Sequence, residues 1–478
     1  MTVSGFTLLS RVLGLVRDMV ISHHLGVGAK SDAWNSAFQF PNLFRRVFGE
    51  GAFNAAFIPL YSDKLKEGEK GAYEYGNKVV VLLALILAAI FGISMLFLRP
   101  IMWLFNLGYE AETLDITVSL ARITTGYLFF VCLLAAFSGI LNSHRRFAAP
   151  AMSYAFLNVI FLIAMFCVLP FTGVPEKVLA WSLLAAGVIQ LMVVVIPAWK
   201  MGFKVKWVKP KIDSDMKKLG ILMVPGLIAA GVQQLNLLVG GTVASFQEGA
   251  KTLIYNADRI NQFPLGLIGI AFGVVLLPEI SRNVKENKME AAKDSLQTGM
   301  SMAMLLALPA MVGIGVLAEP IIDIMFRSGK FTSAHSALAA QALLAFCLGC
   351  PAYIMARVVQ PGYFAREDTK TPMRFTFISA VANMLLCLLA YVLLKDTNSL
   401  HVGCAIATTI AGWLNVLMLI VGLNRRGYLS LTKEFWVKLF KMLIASIVMG
   451  VVVWFAAHLL DGPLHEGHKV IKFLVLGL

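Results

Sequence analysis

Apolar runs long enough to cross a bilayer recur from one end of the chain to the other. About 20 consecutive apolar residues span the hydrocarbon core as a helix. Thirteen such runs are visible, at 5–25, 33–60, 77–98, 119–142, 149–170, 177–199, 219–245, 255–280, 299–326, 336–365, 372–394, 400–424 and 436–460. A further run starts near 469 and reaches Leu478 after too few positions to span, so the last helix is expected to be incomplete. The pattern predicts an all-α polytopic membrane protein. The polar connections are too short to house a soluble catalytic domain.

Basic residues mark the loops after even-numbered runs. Lys64 to Lys78, Arg145 and Arg146, Lys200 to Lys218, Arg282 to Lys293, Arg366 to Arg374 and Arg425 to Lys441 together hold about 25 of them, against about 7 in the other loops. Lysine and arginine are retained on the cytoplasmic side, so a cytoplasmic N-terminus is expected. The net charge of +14 then reflects topology and contact with anionic lipid headgroups, not nucleic acid. The first run carries arginines and lacks the layout of a cleaved signal peptide, so it is expected to stay as a helix.

Two stretches return at a constant offset. Gly28-Ala29-Lys30-Ser31 leading to Gln39-Phe40-Pro41 resembles Gly249-Ala250-Lys251-Thr252 leading to Gln262-Phe263-Pro264. Gly139, Pro150 and a helix with Asn158 resemble Gly362, Pro372 and a helix with Asn383. The offset covers six spans, so both copies keep one orientation, as in a parallel repeat with cargo at the repeat interface. The expected domains are a six-helix lobe over 1–205, a second over 206–424, and a helix pair over 425–478.

Composition supports this class: 58% of residues are hydrophobic and 14% charged, where soluble domains carry about 25% charged. Mean hydropathy is +0.77. The six cysteines all fall in apolar runs, and Cys347-x-x-Cys350 has no second pair, so they read as small packing residues. No Walker loop, GxSxG or HExxH motif is present, which excludes an ATP-driven pump on this chain and argues against an enzyme. No cofactor or metal is implied.

The informative residues are charges placed where lipid should be. Arg11 and Arg17 lie in the first run, Arg45 and Arg46 in the second, and Arg259 in the eighth. A charge at mid-bilayer costs about 2.5–3.5 kcal/mol even on the lenient insertion scale, so several together point to a cationic cavity and an anionic cargo. Arg17 alone also fits an arginine snorkelling to the headgroups; that reading weakens once the others are counted. Arg11 and Arg17 are about 120° apart around a helix, with Gly14 midway, and Asp18 is placed to offset Arg17. Arg46 and Glu50 are spaced to pair on the helix, which leaves Arg45 freer for a ligand. Asp32 and Asp258 are placed to balance charge in their own segments. Arginine forks donate two parallel hydrogen bonds to phosphate oxygens, so converging forks suit a diphosphate better than a carboxylate. Arg122 and Arg357 also fall in apolar runs, with no role assigned.

Three strings then carry a family resemblance: Ser10-Arg-Val-Leu-Gly-Leu-Val-Arg-Asp18, Pro41-Asn-Leu-Phe-Arg-Arg-Val-Phe-Gly-Glu-Gly-Ala-Phe53 and Pro361-Gly-Tyr-Phe-Ala-Arg-Glu-Asp-Thr-Lys-Thr-Pro372. They resemble the signatures of the MurJ (MviN) lipid II flippases of the MOP exporter superfamily, and the similarity runs over nearly the whole chain. The resemblance implies fourteen helices, with two six-helix lobes and a C-terminal pair that forms a groove for the lipid tail. It implies a cargo of undecaprenyl-pyrophosphate-linked peptidoglycan precursor, carried across the bacterial inner membrane by alternating access. Matched motif by motif, the required charges fall on Arg11, Arg17, Asp32, Arg45 and Arg259, with Glu50 and Asp258 as weaker matches. The acidic residue that holds sodium in some members has no counterpart at 230–236, which carries glutamines and asparagine. Cell-wall synthesis enzymes are left open as protein partners. A cation-coupled multidrug or polysaccharide-lipid exporter of the same fold is the alternative, and a non-transporting membrane scaffold is a third reading.

Overall fold

The computed structural model describes residues 2–49, 52–209 and 213–459. Among these the chain is helical, with no strand beyond the isolated bridge Ser328–Phe331. The chain forms two compact units, Met1–Gly249 and Ala250–Leu478.

In the first unit, the first expected span is α1 (Thr2–Leu25) and the second is carried by α2 (Ala29–Gly49) and α3 (Ala52–Glu67). The third comprises α4 (Glu69–Leu96) and the short α5 (Leu98–Phe105). Then come α6 (Ala111–Ser143), α7 (Ala148–Cys167) with the single turn α8 (Leu169–Thr172), α9 (Pro175–Lys200) and α10 (Ser214–Ala244). In the second unit, α11 (Ala250–Pro264), a π-helical turn (Leu265–Gly269) and α12 (Ile270–Lys285) occupy the eighth expected span. They are followed by α13 (Met289–Val316), α14 (Ala318–Phe326), α15 (Ser333–Phe364), α16 (Lys370–Leu394), α17 (Leu400–Arg425) and α18 (Lys433–Leu459). Among the described residues, each of the thirteen expected positions thus carries a helix. The run starting near 469 lies outside the described residues. Nine helices among the described residues are long and apolar enough to cross a membrane. The charged α1, α2 and α11 are not among them.

Each unit is built around one post. The most apolar windows of α6 and α15 are both 78% buried, against 11% for α18. A helix apolar all round is buried by its neighbours. Here α6 is wrapped by α2, α4 and α9, and α15 by α11, α13 and α17. In the first unit α10 packs on α2, α3 and α5. The outer helices expose bulky side chains such as Phe166, Leu385 and Phe440. That much exposed apolar surface would aggregate a soluble protein; against lipid it is the solvated surface.

The proline break in α2 is repaired from a neighbouring helix. Pro41 inside α2 has no N–H to give the Ala37 carbonyl, and in hydrocarbon an unpaired carbonyl has no water to turn to. Thr124 of α6 supplies the donor, its Oγ1 lying 2.8 Å from the Ala37 oxygen. Only the fold brings the two together.

The helix ends on the basic-loop side share one device. After α6, α9, α12, α15 and α17 the chain turns through a residue with positive φ, namely Arg145, Gly202, Asn287, Glu367 and Gly427. The amide after each returns to a carbonyl five residues back, at 2.9–3.2 Å, which satisfies the orphaned last carbonyls. The turn after α15 is further tied to the end of α17. Arg426 donates to Asp368 and, at 2.9 Å, to Thr371 Oγ1, and the Thr371 amide donates to Asp368 Oδ1 at 3.0 Å. Arg366 lies 4.1 Å from the Tyr428 ring centre. This cluster takes up Arg366, Asp368 and Thr371 of the Pro361–Pro372 string. Burial alone would raise the Asp368 carboxyl, but the Thr371 and Arg426 hydrogen bonds outweigh it and hold it at about 2.

Two outcomes are expected. Thr124→Val, which keeps shape but removes the donor, should destabilise the detergent-solubilised protein by about 1–3 kcal/mol, while Thr124→Ser should stay near wild type; equal melting of both variants would show that the Ala37 carbonyl needs no partner. The Asp368 pKa lies below its ordinary value of 3.8, so its stabilisation is complete above that value and lost as pH falls toward about 2. The gap in melting temperature between wild type and Asp368→Asn should therefore be constant above pH 4 and close only below it. A gap closing between pH 5 and 4 would contradict the lowered value.

Candidate functional site

In the first unit, packing of α1 on α7 builds a buried polar knot around Arg17, which is 7% exposed, and Asp18, 2% exposed. The Arg17 Nε and Nη2 donate to Asp18 Oδ1 at 2.9 and 2.6 Å. Nη1 donates to Asn158 Oδ1 at 3.0 Å. The guanidinium carbon sits 5.6 Å from the ring centre of Phe161, a desolvated cation–π contact. Asn158 also donates from Nδ2 to the Ser10 carbonyl at 2.9 Å. Ser10 and Arg17 are seven residues apart and so share a face of α1. One asparagine therefore bridges two turns of that helix and fixes the arginine at its inner end. Asp18 pairs with Arg17 as their adjacency suggested. Arg11, on another face, is exposed.

Arg45 lies half-buried on α2, one turn after Pro41, with Nε donating to Asn42 Oδ1 at 2.6 Å. Asp32, in the first turn of the same helix, is 1% exposed. Its Oδ2 accepts from the Gly249 amide at 2.8 Å, and its backbone carbonyl accepts from Tyr109 Oη at 3.0 Å. A carboxylate at this end also faces the positive pole of the helix. Gly249 is required twice over. Its φ is +80°, and a Cβ there would come 2.4 Å from Val27 Cγ1. Next to this contact the Ala29 amide donates to Glu248 Oε1 at 3.0 Å. Glu50 lies outside the described residues, as does any pairing it makes with Arg46.

In the second unit, Asp258 and Arg259 are half-buried on α11, and Gln262 Nε2 donates to Asp258 Oδ2 at 2.5 Å. Pro264 closes the helix and the π-helical turn follows. The Arg357 side chain lies against Gly269, where a Cβ would stand 2.9 Å from Arg357 Cδ. Arg122 is exposed on α6 of the first unit.

The structure thus brings Arg17 together with Asp18 and Asn158, Arg45 with Asn42, and Asp32 with Gly249. Asn158, Asn42 and Gly249 were not read as site residues from the sequence. In the sequence Asn158 stands only as a landmark of the repeat. The available signal was a carboxamide deep in an apolar run, which in a membrane calls for a buried partner.

A family model described as "Lipid II flippase MurJ" matches residues 21–473. A probable lipid II flippase MurJ of Rhizobium tropici is 38% identical over the whole of this chain and 90% of its own length. The chain belongs to the MurJ family. It is a polytopic membrane transporter, not an enzyme. Among solved structures, a lipid II flippase MurJ in an inward closed conformation matches with a TM-score of 0.83 at 26% identity, covering 99% of this chain and 97% of that one. An inward-facing MATE-family multidrug transporter of the MOP superfamily matches with a TM-score of 0.73 over 87% of this chain and 94% of that one, at 13% identity. The second likeness shows the fold alone. The first agrees with the family assignment from sequence, so the alternative exporter reading is not favoured.

The Arg17–Asn158 contact is expected to be energetically real. A double-mutant cycle on thermal stability with Arg17→Ala and Asn158→Ala should give a coupling of about 1.5–3 kcal/mol, the range for hydrogen bonds to charged groups. Simple additivity would mean that Asn158 does not hold the arginine.

Proposed function

We propose that this MurJ-family chain moves lipid II, the undecaprenyl-pyrophosphate-linked peptidoglycan precursor, from the inner to the outer leaflet of the bacterial cytoplasmic membrane. The observation that carries the reading is a buried arginine fork, Arg17, in a span of a chain matched by that family's model over nearly its full length. A diphosphate offers several acceptor oxygens, and guanidinium forks bind them in pairs. Arg11, Arg17, Arg45 and Arg259 are the proposed headgroup ligands. Asp32, Asp258 and Glu50 are the proposed balancing or coupling charges.

Asp18 adds a step to the mechanism. At rest it holds both Nε and Nη2 of Arg17, so a diphosphate must displace it to be gripped. Its return to Arg17 then competes the cargo off. An intramembrane arginine is thereby never left without an anion, which the low dielectric would penalise heavily. Alternating access follows the parallel repeat of the sequence, with the polyprenyl tail remaining in lipid. In this reading the N-terminus is cytoplasmic, which the bias of lysine and arginine toward the loops after even-numbered spans supports. Enzymes that supply or consume lipid II are the expected protein partners.

Complementation of flippase-depleted bacteria, read with an assay for precursor on the outer leaflet, tests this. Wild type should rescue, and Arg45→Ala should lose outer-leaflet precursor at unchanged protein abundance. Normal flipping by Arg45→Ala would remove that residue from the site, and failure of the wild type to rescue would point to another cargo.

A further inference from the structure

Residues 203–209, which follow α9, are tied to α4 and present a surface that no role above uses. They read Phe-Lys-Val-Lys-Trp-Val-Lys and belong to no helix or strand. Phe203 is fully buried, with its ring 5.7 Å from Tyr73 and 5.9 Å from Phe137. Asn77 of α4 clamps the backbone that follows. Its Nδ2 donates to the Lys204 carbonyl at 3.3 Å, and its Oδ1 accepts from the Lys206 amide at 2.9 Å. At the far end Asp213 caps α10 through the Met216 amide at 3.0 Å and pairs with Lys78 at 2.7 Å. Lys78 holds the Asp213 carboxyl below its ordinary range, helped by the Met216 amide, so this anchor stays ionised at neutral pH.

The clamp fixes what points outward. Trp207 is 74% exposed and Val205 45%. Lys204, Lys206 and Lys209 are exposed, and none of them has an ion-pair partner among the described residues. Acids on the neighbouring helices do not pair with them: Asp63 pairs with Lys66, Glu67 and Asp215 with Lys64, and Asp213 with Lys78, while Glu69 and Glu74 of α4 make no ion pair with these lysines among the described residues. A flexible loop could fold its tryptophan away, but this one is pinned. A fixed indole alternating with uncompensated lysines, at the end of membrane-spanning helices, matches the chemistry of an anionic headgroup layer. Indole rings partition to that depth, and lysines near it are drawn to lipid phosphates.

We propose that residues 203–209 form a docking surface for anionic phospholipid, with Val205 and Trp207 entering the headgroup layer and Lys204, Lys206 and Lys209 meeting lipid phosphates. The occupant is the membrane surface itself and not the transported cargo, so the proposal does not depend on the flippase reading.

The test uses the full chain carrying Val205→Cys with a nitroxide label. Cys167→Ser removes the one exposed native cysteine among the described residues, the other five being buried. The protein is placed in phosphatidylcholine nanodiscs with rising phosphatidylglycerol, and the label's collision with oxygen and with a water-soluble nickel chelate is read by EPR. The label should shift from water to headgroup depth as phosphatidylglycerol rises, and the shift should shrink at high salt, which screens exposed charge. Replacing Lys204, Lys206 and Lys209 together by Gln should abolish the shift, and replacing them by Arg should preserve it. A label that stays in water at every composition overturns the proposal. So does equal immersion in pure phosphatidylcholine, which would be apolar insertion without charge recognition. Protection by added polyglutamate but by no lipid would assign the surface to an acidic protein instead.

Discussion

Water is absent from the hydrocarbon core, so every polar group there must find its partner within the protein. Most features of this chain follow from that constraint. A missing N–H at Pro41 leaves the Ala37 carbonyl to be answered by Thr124 from another helix. A guanidinium on α1 is answered by the neighbouring carboxylate and by an asparagine of α7, 141 residues further along the chain. In water each of these groups would be solvated and each arrangement nearly optional. In lipid each one fixes where a neighbouring helix sits.

The same constraint shapes how charge is handled within the helices. A bare arginine in a span is costly. The Arg17–Asp18 pair resolves this by carrying its own counter-ion, and Asn158 holds the geometry while that ion is in place. Asp32 is managed differently, with a backbone amide and the start of α2 as its partners. Charge on the basic-loop side is under no such pressure. There Lys204, Lys206 and Lys209 stay exposed, and Asp368 with Arg426 forms a clamp that holds two turns of the second unit together.

The two copies of the repeat show how one layout takes on separate tasks. In the first unit Asn158 of α7 holds an arginine. At the corresponding place Asn383 of α16 is also buried, and it accepts from the Cys387 thiol at 3.8 Å. Pro41 interrupts α2 within a continuous helix, while Pro264 ends α11 and hands over to a π-helical turn. Repetition of the pattern kept the helix order around a central post; the polar chemistry diverged at single positions.

The sequence by itself determined the class and the helices. In a bilayer, long apolar runs leave no structure but the helix, and the charges stranded within α1, α2 and α11 marked the informative segments because lipid makes them expensive. Adjacency or helical spacing was enough to anticipate the Arg17–Asp18 pair. It could not reveal Asn158 with Arg17, Thr124 with Ala37, or Gly249 with Asp32, which lie 141, 87 and 217 residues apart along the chain. Nor could a string such as Phe-Lys-Val-Lys-Trp-Val-Lys show that Asn77 would pin it open. Local pattern reports which groups need a partner; only the packing of helices against each other decides which partner arrives.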